Sequence, residues 1–293
     1  DLDDAIDIVN DSELGLTSGL HSLDDREQNL WREKIEVGNA YINRGTTGAI
    51  VQRQPFGGWK KSVFGNAKAG GPNYVFSLCN WSQRVAPKLL SEWSADVQEL
   101  LSQFIEWCAS NNKLSWIEKL QTAAGSFAHA WQTHFSREHD PSRVLGESNI
   151  FRYRPIRNVM IRVGEQEKNG SISETSMIWS DTVWLSAMLS ALAAKTCGVE
   201  FEISVASDQE SDTSKRIRHL SVEDEKSYIQ RINNFERLRA TSPLTREAIM
   251  AANDAHVLIV DSEVLLNGRL ELRHYHREQA ISMTTHRYGN LIR

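Results

Sequence analysis

The chain has 293 residues, 40% hydrophobic and 24% charged, and 38 acidic against 33 basic side chains give it a net charge of -5. That length holds two domains of about 100 to 200 residues, each able to bury its own core, so disorder is not the default reading. The mild acidic excess argues against a general nucleic-acid binder, which carries a basic face. No apolar run reaches the roughly 18 residues of a membrane span, and the acidic opening lacks the basic start of a signal peptide. Cys79, Cys108 and Cys197 are odd in number and far apart, which leaves neither a disulfide framework nor a CxxC zinc site and fits a reducing cytoplasm. The first residue is Asp1 and the opening reads as mid-helix, so the expectation is the C-terminal piece of a longer polypeptide.

Two amphipathic helices are predicted first. Leu2, Ala5, Ile6 and Val9 share one helical face. Asp24 with Glu27 reads as a variant capping box, Leu30, Trp31 and Ile35 as the buried stripe that follows, and Gly38 as a left-handed helix end. Ala40 to Asn43 is a strand candidate. From Arg44 to Pro72 the composition changes: Gly45, Gly48, Gly57, Gly58, Gly65, Gly70 and Gly71 punctuate a stretch with little helical period. Such glycine density marks special turns or close backbone approach, and the spacing matches neither GxGxxG nor GxxxxGK[ST].

A helical region follows over about 86–148, with Trp93, Val97, Leu100, Leu101, Phe104, Ile105 and Cys108 on one face and Ser115 to Glu118 as a capping box. On that reading Ser115→Ala costs about 1 kcal/mol. His139, Asp140 and Pro141 break the run. Beyond it, strands at Val159 to Val163, Val199 to Val205 and His256 to Val260 alternate with helices at Asp181 to Thr196, after Ser221 and after Ser242. That alternation predicts a parallel sheet with crossover helices. Asp208 to Lys215 reads as a solvated loop.

The residues Tyr41-Ile-Asn-Arg-Gly45-Thr-Thr-Gly48-Ala-Ile-Val-Gln-Arg-Gln-Pro55-Phe-Gly-Gly-Trp59, with Ala69-Gly-Gly-Pro72 after them and Gly15 to Ser22 before, resemble the C-terminal part of the aldehyde dehydrogenase superfamily. The spacing is most similar to the L-glutamate γ-semialdehyde (pyrroline-5-carboxylate) dehydrogenase module of bifunctional proline utilisation A enzymes. Asn149 to Pro155, Arg277 to Ser282 and His286 to Asn290 resemble the extra C-terminal domain of some long members of that group. The fold this implies is α/β: the C-terminal part of a catalytic subdomain over 1–85, a helical connector over 86–140, and a degenerate, Rossmann-like domain over 141–293.

The resemblance also implies an activity, NAD-dependent oxidation of L-glutamate γ-semialdehyde to L-glutamate. Thr47, Gly48 and Ala49 match the loop whose backbone amides anchor the substrate α-carboxylate, and Phe56 matches the aromatic wall beside the aldehyde chain. The catalytic cysteine, its partners and most of the NAD site are placed upstream of Asp1, so no catalytic or cofactor-binding residue is expected here. The implied partners are a small-molecule substrate, other copies in a homo-oligomer, and a proline dehydrogenase module upstream. The tail over 274–290 is implied to pack over the dehydrogenase module and help seal a cavity.

Read without the resemblance, all three cysteines are inert core thiols and Phe56 is an ordinary buried aromatic. His274 and His276 share one face of a charged surface strand, with no third ligand at a recognisable spacing for zinc. In Val163 to Gly170, acids stand where a phosphate loop needs glycine amides. The competing reading of the whole chain is a non-catalytic structural or assembly module.

Overall fold

The computed structural model describes residues 1–48, 50–63, 65, 67–82, 92–164, 181–206 and 219–286. The chain is mixed α/β with parallel sheets and divides into two compact units, neither contiguous in sequence: residues 1–80, 136–154 and 277 onward form the first, and 81–135 with 155–276 the second. This differs from the expected segments 1–85, 86–140 and 141–293. The reason is strand pairing over long sequence separation, which no local pattern announces.

In the first unit, helix α1 (Leu2–Asn10) is capped by Asp1, whose carboxylate accepts from the Asp4 amide. Strands β1 (Leu14–Gly15) and β2 (Thr17–Leu20) lead to helix α2 (Asp25–Lys34), capped by Asp24, and strand β3 (Asn39–Ile42). Because β2 and β3 are parallel, α2 is the crossover that joins them. Strand β4 (Trp59–Lys60) pairs antiparallel with β1. Two strands from far along the chain, β5 (Glu147–Pro155) and β11 (His276–Thr284), complete a four-stranded sheet in the order β2-β3-β11-β5. The core is Ile6, Trp31, Ile35, Val37, Ala40, Ile42 and Ile281, with Leu2 and Leu30 packed against it. Ala5 and Val9, expected on the inner face of α1, are exposed.

Gly38 does not end α2 in a left-handed conformation, since the helix stops at Lys34 and Ile35 is already extended. Its place is fixed by crowding: a Cβ there would stand 2.0 Å from the Gly57 carbonyl oxygen. The glycines of the Phe56 to Trp59 turn therefore press directly on the entry to β3.

The second unit holds helices α3 (Ala95–Ser110) and α4 (Leu114–Ala130), strand β6 (Asn158–Val163), helix α5 (Asp181–Thr196) and strands β7 (Glu200–Ala206) and β8 (Leu220–Glu223). Helix α6 (Glu225–Arg231), β9 (Arg237–Ala240), α7 (Arg246–Asp254), β10 (Leu258–Val260) and the short α8 (Gly268–Glu271) complete it. Its sheet is parallel throughout, in the order β10-β9-β6-β7-β8. The order reverses between β6 and β9, the topological switch point of an open α/β sheet. The α3–α4 pair is not a connector, because α4 packs on α5 and α8 and α3 packs on α5.

Local readings of helix starts need correction. Ser115 lies inside α4, whose N-cap position, Lys113, makes no side-chain cap. Ser221 lies in β8, and the cap of α6 is Asp224, which accepts from the Ser227 amide at 2.7 Å. Thr245 caps α7, while Ser242 accepts from the Gly164 amide at 2.9 Å. The stretches 165–170, 208–215 and 287–290, and Ala49, lie outside the described residues.

Candidate functional site

The glycine-rich stretch between β3 and β4 carries the sequence-derived site residues. Thr47 and Gly48 are exposed on the loop leaving β3, and Phe56, half-buried, follows eight residues after Gly48. Gly48 has φ +136°, a conformation L side chains rarely adopt, and a Cβ would stand 3.0 Å from the end of the Gln54 side-chain amide. The buried Tyr41 of β3 fixes this peptide: its hydroxyl donates to the Gly48 carbonyl at 3.0 Å.

Downstream, the chain turns back on itself. The Gln54 amide donates to the Ile50 carbonyl, and Gln54 is buried. Strand β5 braces this turn from below. Glu147 accepts from Arg53 Nε at 3.0 Å and stands 3.7 Å from Arg44. The Arg53 guanidinium holds the Glu147 carboxyl below the usual carboxylate range, with Arg44 adding to the effect. The Gln54 amide lies between Arg44 and Asn149 of β5; with its oxygen turned to Arg44 it accepts at 2.8 Å.

Phe56 is held by a two-way backbone bridge to Ala69, at 3.0 and 2.9 Å, and the Gln52 amide donates to the Gly70 carbonyl at 3.0 Å. The ring therefore sits on a doubled strip of chain, residues 52–57 against 68–70. Beneath it, Lys68 is buried; its ammonium donates to the Asn39 side-chain oxygen at 3.2 Å and to the Gly57 carbonyl. Burial pushes the Lys68 amine down to about 7, against the attraction of the Glu278 carboxylate.

Glu278 of β11 is the residue that sequence reading passed over. One carboxylate oxygen accepts from the Lys68 backbone amide at 2.8 Å and the other from Asn73 Nδ2 at 2.7 Å, while its carbonyl accepts from Trp59 Nε1 at 2.7 Å. Its neighbour Gln279 is buried, accepts from Arg152 of β5 at 2.8 Å and donates to the Val37 carbonyl at 2.9 Å. The expected surface strand is thus a central one, whose buried Glu278 and Gln279 are matched by donors and acceptors from other elements. The signal was present: three polar residues, Arg277 to Gln279, run directly into the apolar Ala280 and Ile281, too polar a stretch for an ordinary core strand.

The cysteines split. Cys108 and Cys197 are buried, and burial raises the Cys108 thiol to about 11 and holds Cys197 well above its ordinary value. Cys79, expected in the core, is exposed just past the turn Val75–Leu78. His276 is buried and stacks between Trp131, 5.5 Å between ring centroids, and Phe135, 4.9 Å, whereas His274 lies in the preceding turn Leu272–Tyr275, so the two do not share a strand face. Among the described residues no group of three His, Cys, Asp or Glu side chains could hold a metal.

The switch point of the second unit opens into a cavity of about 100 Å³ lined by Arg162, Gly164, Glu225, Tyr228, Pro243, Leu244 and Thr245. Arg162 is already engaged, donating to Ser204 Oγ at 2.8 Å and Glu225 at 3.1 Å and lying over the Tyr228 ring. With carboxylates at Glu225 and, behind Ser204, Glu223, the described residues here do not fit a nucleotide diphosphate. Among the described residues no helix is long and apolar enough to cross a membrane.

Comparison with known proteins bears on this geometry. Residues 1–83 match the family model described as "Aldehyde dehydrogenase family". Over 75 residues, 26% of this chain, the sequence is 48% identical to 1-pyrroline-5-carboxylate dehydrogenase of Geobacillus sp. (strain WCH70) and 47% identical to that of Bacillus subtilis (strain 168). The match spans 14% of each relative's length. A solved structure of Proline Utilization A (PutA) from Corynebacterium freiburgense superposes over 99% of this chain and 25% of its own, with TM-score 0.70 and 34% identity. Similarity to that enzyme therefore extends through the second unit, well past residue 83.

Proposed function

We propose that this chain is the C-terminal part of an NAD-dependent L-glutamate γ-semialdehyde dehydrogenase of the bifunctional, proline-degrading type, acting in the cytoplasm as a homo-oligomer with a proline dehydrogenase module upstream. The observation that carries the proposal is the Gly48 loop: an exposed turn with φ +136°, tied down by Tyr41 and followed by the half-buried Phe56, inside the stretch that matches aldehyde dehydrogenases. Thr47, Gly48 and Ala49 offer backbone amides unobstructed by large side chains, which suits a carboxylate. Phe56 supplies an apolar wall for the aldehyde chain. The nucleophile and the NAD site belong, on this reading, to the preceding polypeptide, and NAD supplies the hydride acceptor there. The engaged Arg162 and the carboxylates around the switch-point cavity favour a non-catalytic, supporting role for the second unit.

The test is substrate discrimination in the full-length enzyme. Gly48→Val should raise KM for the semialdehyde about tenfold or more while leaving KM for a short aliphatic aldehyde within about twofold, because only the former has a carboxylate to hold. Equal effects on both would refute the anchor assignment. The 293-residue chain alone should oxidise neither aldehyde.

A further inference from the structure

Between β3 and β4 the described residues form no helix, and beside the local bonds from Tyr41, Ile50 and Ala69 the loop is held by partners from far along the sequence. We propose that Glu278 is a positioning residue for substrate recognition, fixing the 68–73 turn and through it Phe56. The inference rests on the reading of Phe56 as the wall of the semialdehyde pocket.

Glu278 accepts from donors on two sides of this loop. Its two carboxylate oxygens take donors from the two ends of the turn, the Lys68 amide at 2.8 Å and Asn73 Nδ2 at 2.7 Å, and its carbonyl takes Trp59 Nε1 at 2.7 Å. Both ends of the turn are thus tied to a single group on β11. From the turn, the link to Phe56 is short: Ala69 bridges Phe56 in both directions, Gly70 accepts from Gln52, and the Lys68 ammonium donates to Gly57. Lys68, Asn73 and Glu278 are all buried, so water cannot readily replace a lost partner. Asn73 is itself anchored, donating to Tyr153 Oη of β5 at 2.8 Å.

Charge makes the arrangement specific. A carboxylate can face two donors with two acceptor atoms, whereas an amide offers one oxygen and a competing N–H2 group. Glu278 also offsets part of the cost of burying the Lys68 ammonium. Position along the chain makes it informative: Lys68 and Glu278 are 210 residues apart, so the arrangement forms only when β11 is seated beside β3.

The experiment compares Glu278→Ala and Glu278→Gln with the parent in the full-length enzyme. Glu278→Ala should raise KM for L-glutamate γ-semialdehyde about tenfold, the scale of a lost charge-assisted hydrogen bond, with kcat within about twofold and KM for a short aliphatic aldehyde little changed. Glu278→Gln, keeping one acceptor, should fall between, and amide exchange should accelerate at 68–73 and 52–57 ahead of β3. If the alanine variant does not fold, the glutamine variant carries the same test. Unchanged semialdehyde KM in Glu278→Gln, or equal losses for both aldehydes, overturns the proposal. Gly48→Val separates the two ideas: a selective effect there with none at Glu278 defeats the positioning role and leaves the anchor standing, while no selective effect at either defeats the reading on which both depend.

Discussion

At Lys68 a single side chain shows how burial and charge set a measurable property. Its amine titrates at about 7 in the fold against 10.5 ordinarily, because burial disfavours the ammonium more than Glu278 favours it. The sign follows from proton counting: between those values the unfolded chain holds a proton that the folded chain has released, so the free energy of unfolding rises with pH. Denaturant midpoints measured from pH 7 to 9 should increase, and Lys68→Met should flatten that rise. A parent profile that stays level, or a slope identical in the variant, contradicts the assignment. The residue types of the loop were legible in sequence, glycines included, and Gly48 and Phe56 stood out. Lys68, Tyr41 and Glu278 did not, because what distinguishes them is a partner supplied by another element.

At the level of elements, helices and strands were largely readable, whereas their first residues were readable at α2, capped by Asp24, and at α5 but not at α4, α6 and α7. The α5 span from Asp181 to Thr196 follows the sequence pattern to the residue, with Gly198 just beyond it. By contrast, α4 starts without a side-chain cap although Ser115 and Glu118 spell a capping box. Three residues of spacing describe what a cap could do, whereas the direction in which the chain enters the helix decides which residue does it. The energetic consequence can be measured. Thr245→Ala removes the α7 cap, a 3.2 Å bond to the Ala248 amide, together with a 2.7 Å bond to Glu225, and should cost about 1 to 2 kcal/mol. Ser115→Ala, exposed within a helix, should change stability by less than about 0.5 kcal/mol. Denaturant unfolding of the two variants side by side checks both, and the reverse ranking would restore the capping box.

Over the whole molecule, the second unit holds a buried ion pair in place of a purely apolar centre. Arg239 and Glu271 are both almost fully buried, 3.2 Å apart, and Arg239 also donates to the Val260 and Ser262 carbonyls. Glu271 accepts further from the Leu265 amide at 3.0 Å. Removing one partner strands a buried charge, so Glu271→Leu should destabilise by about 3 to 5 kcal/mol, whereas adding Arg239→Met should recover a large part of the loss. Calorimetric unfolding of single and double variants tests this; a double variant no better than the single would mean that the backbone contacts, not the charge pairing, carry the stability.

What the sequence determined by itself was local: the parallel α/β character of the second unit, the run of elements, and the glycine-rich loop with its resemblance to a carboxylate-binding segment. Each of these depends on periodicity or residue type within a few turns of chain. Only the tertiary structure decided that the units are discontinuous, that the polar segment Arg277 to Ser282 runs through the middle of the first sheet, and that Glu278 holds the turn beneath Phe56. The physical reason is that a buried polar side chain is tolerated only where its donors and acceptors converge, and here those partners come from positions as far apart as Val37, Lys68, Asn73, Arg152 and Gln279.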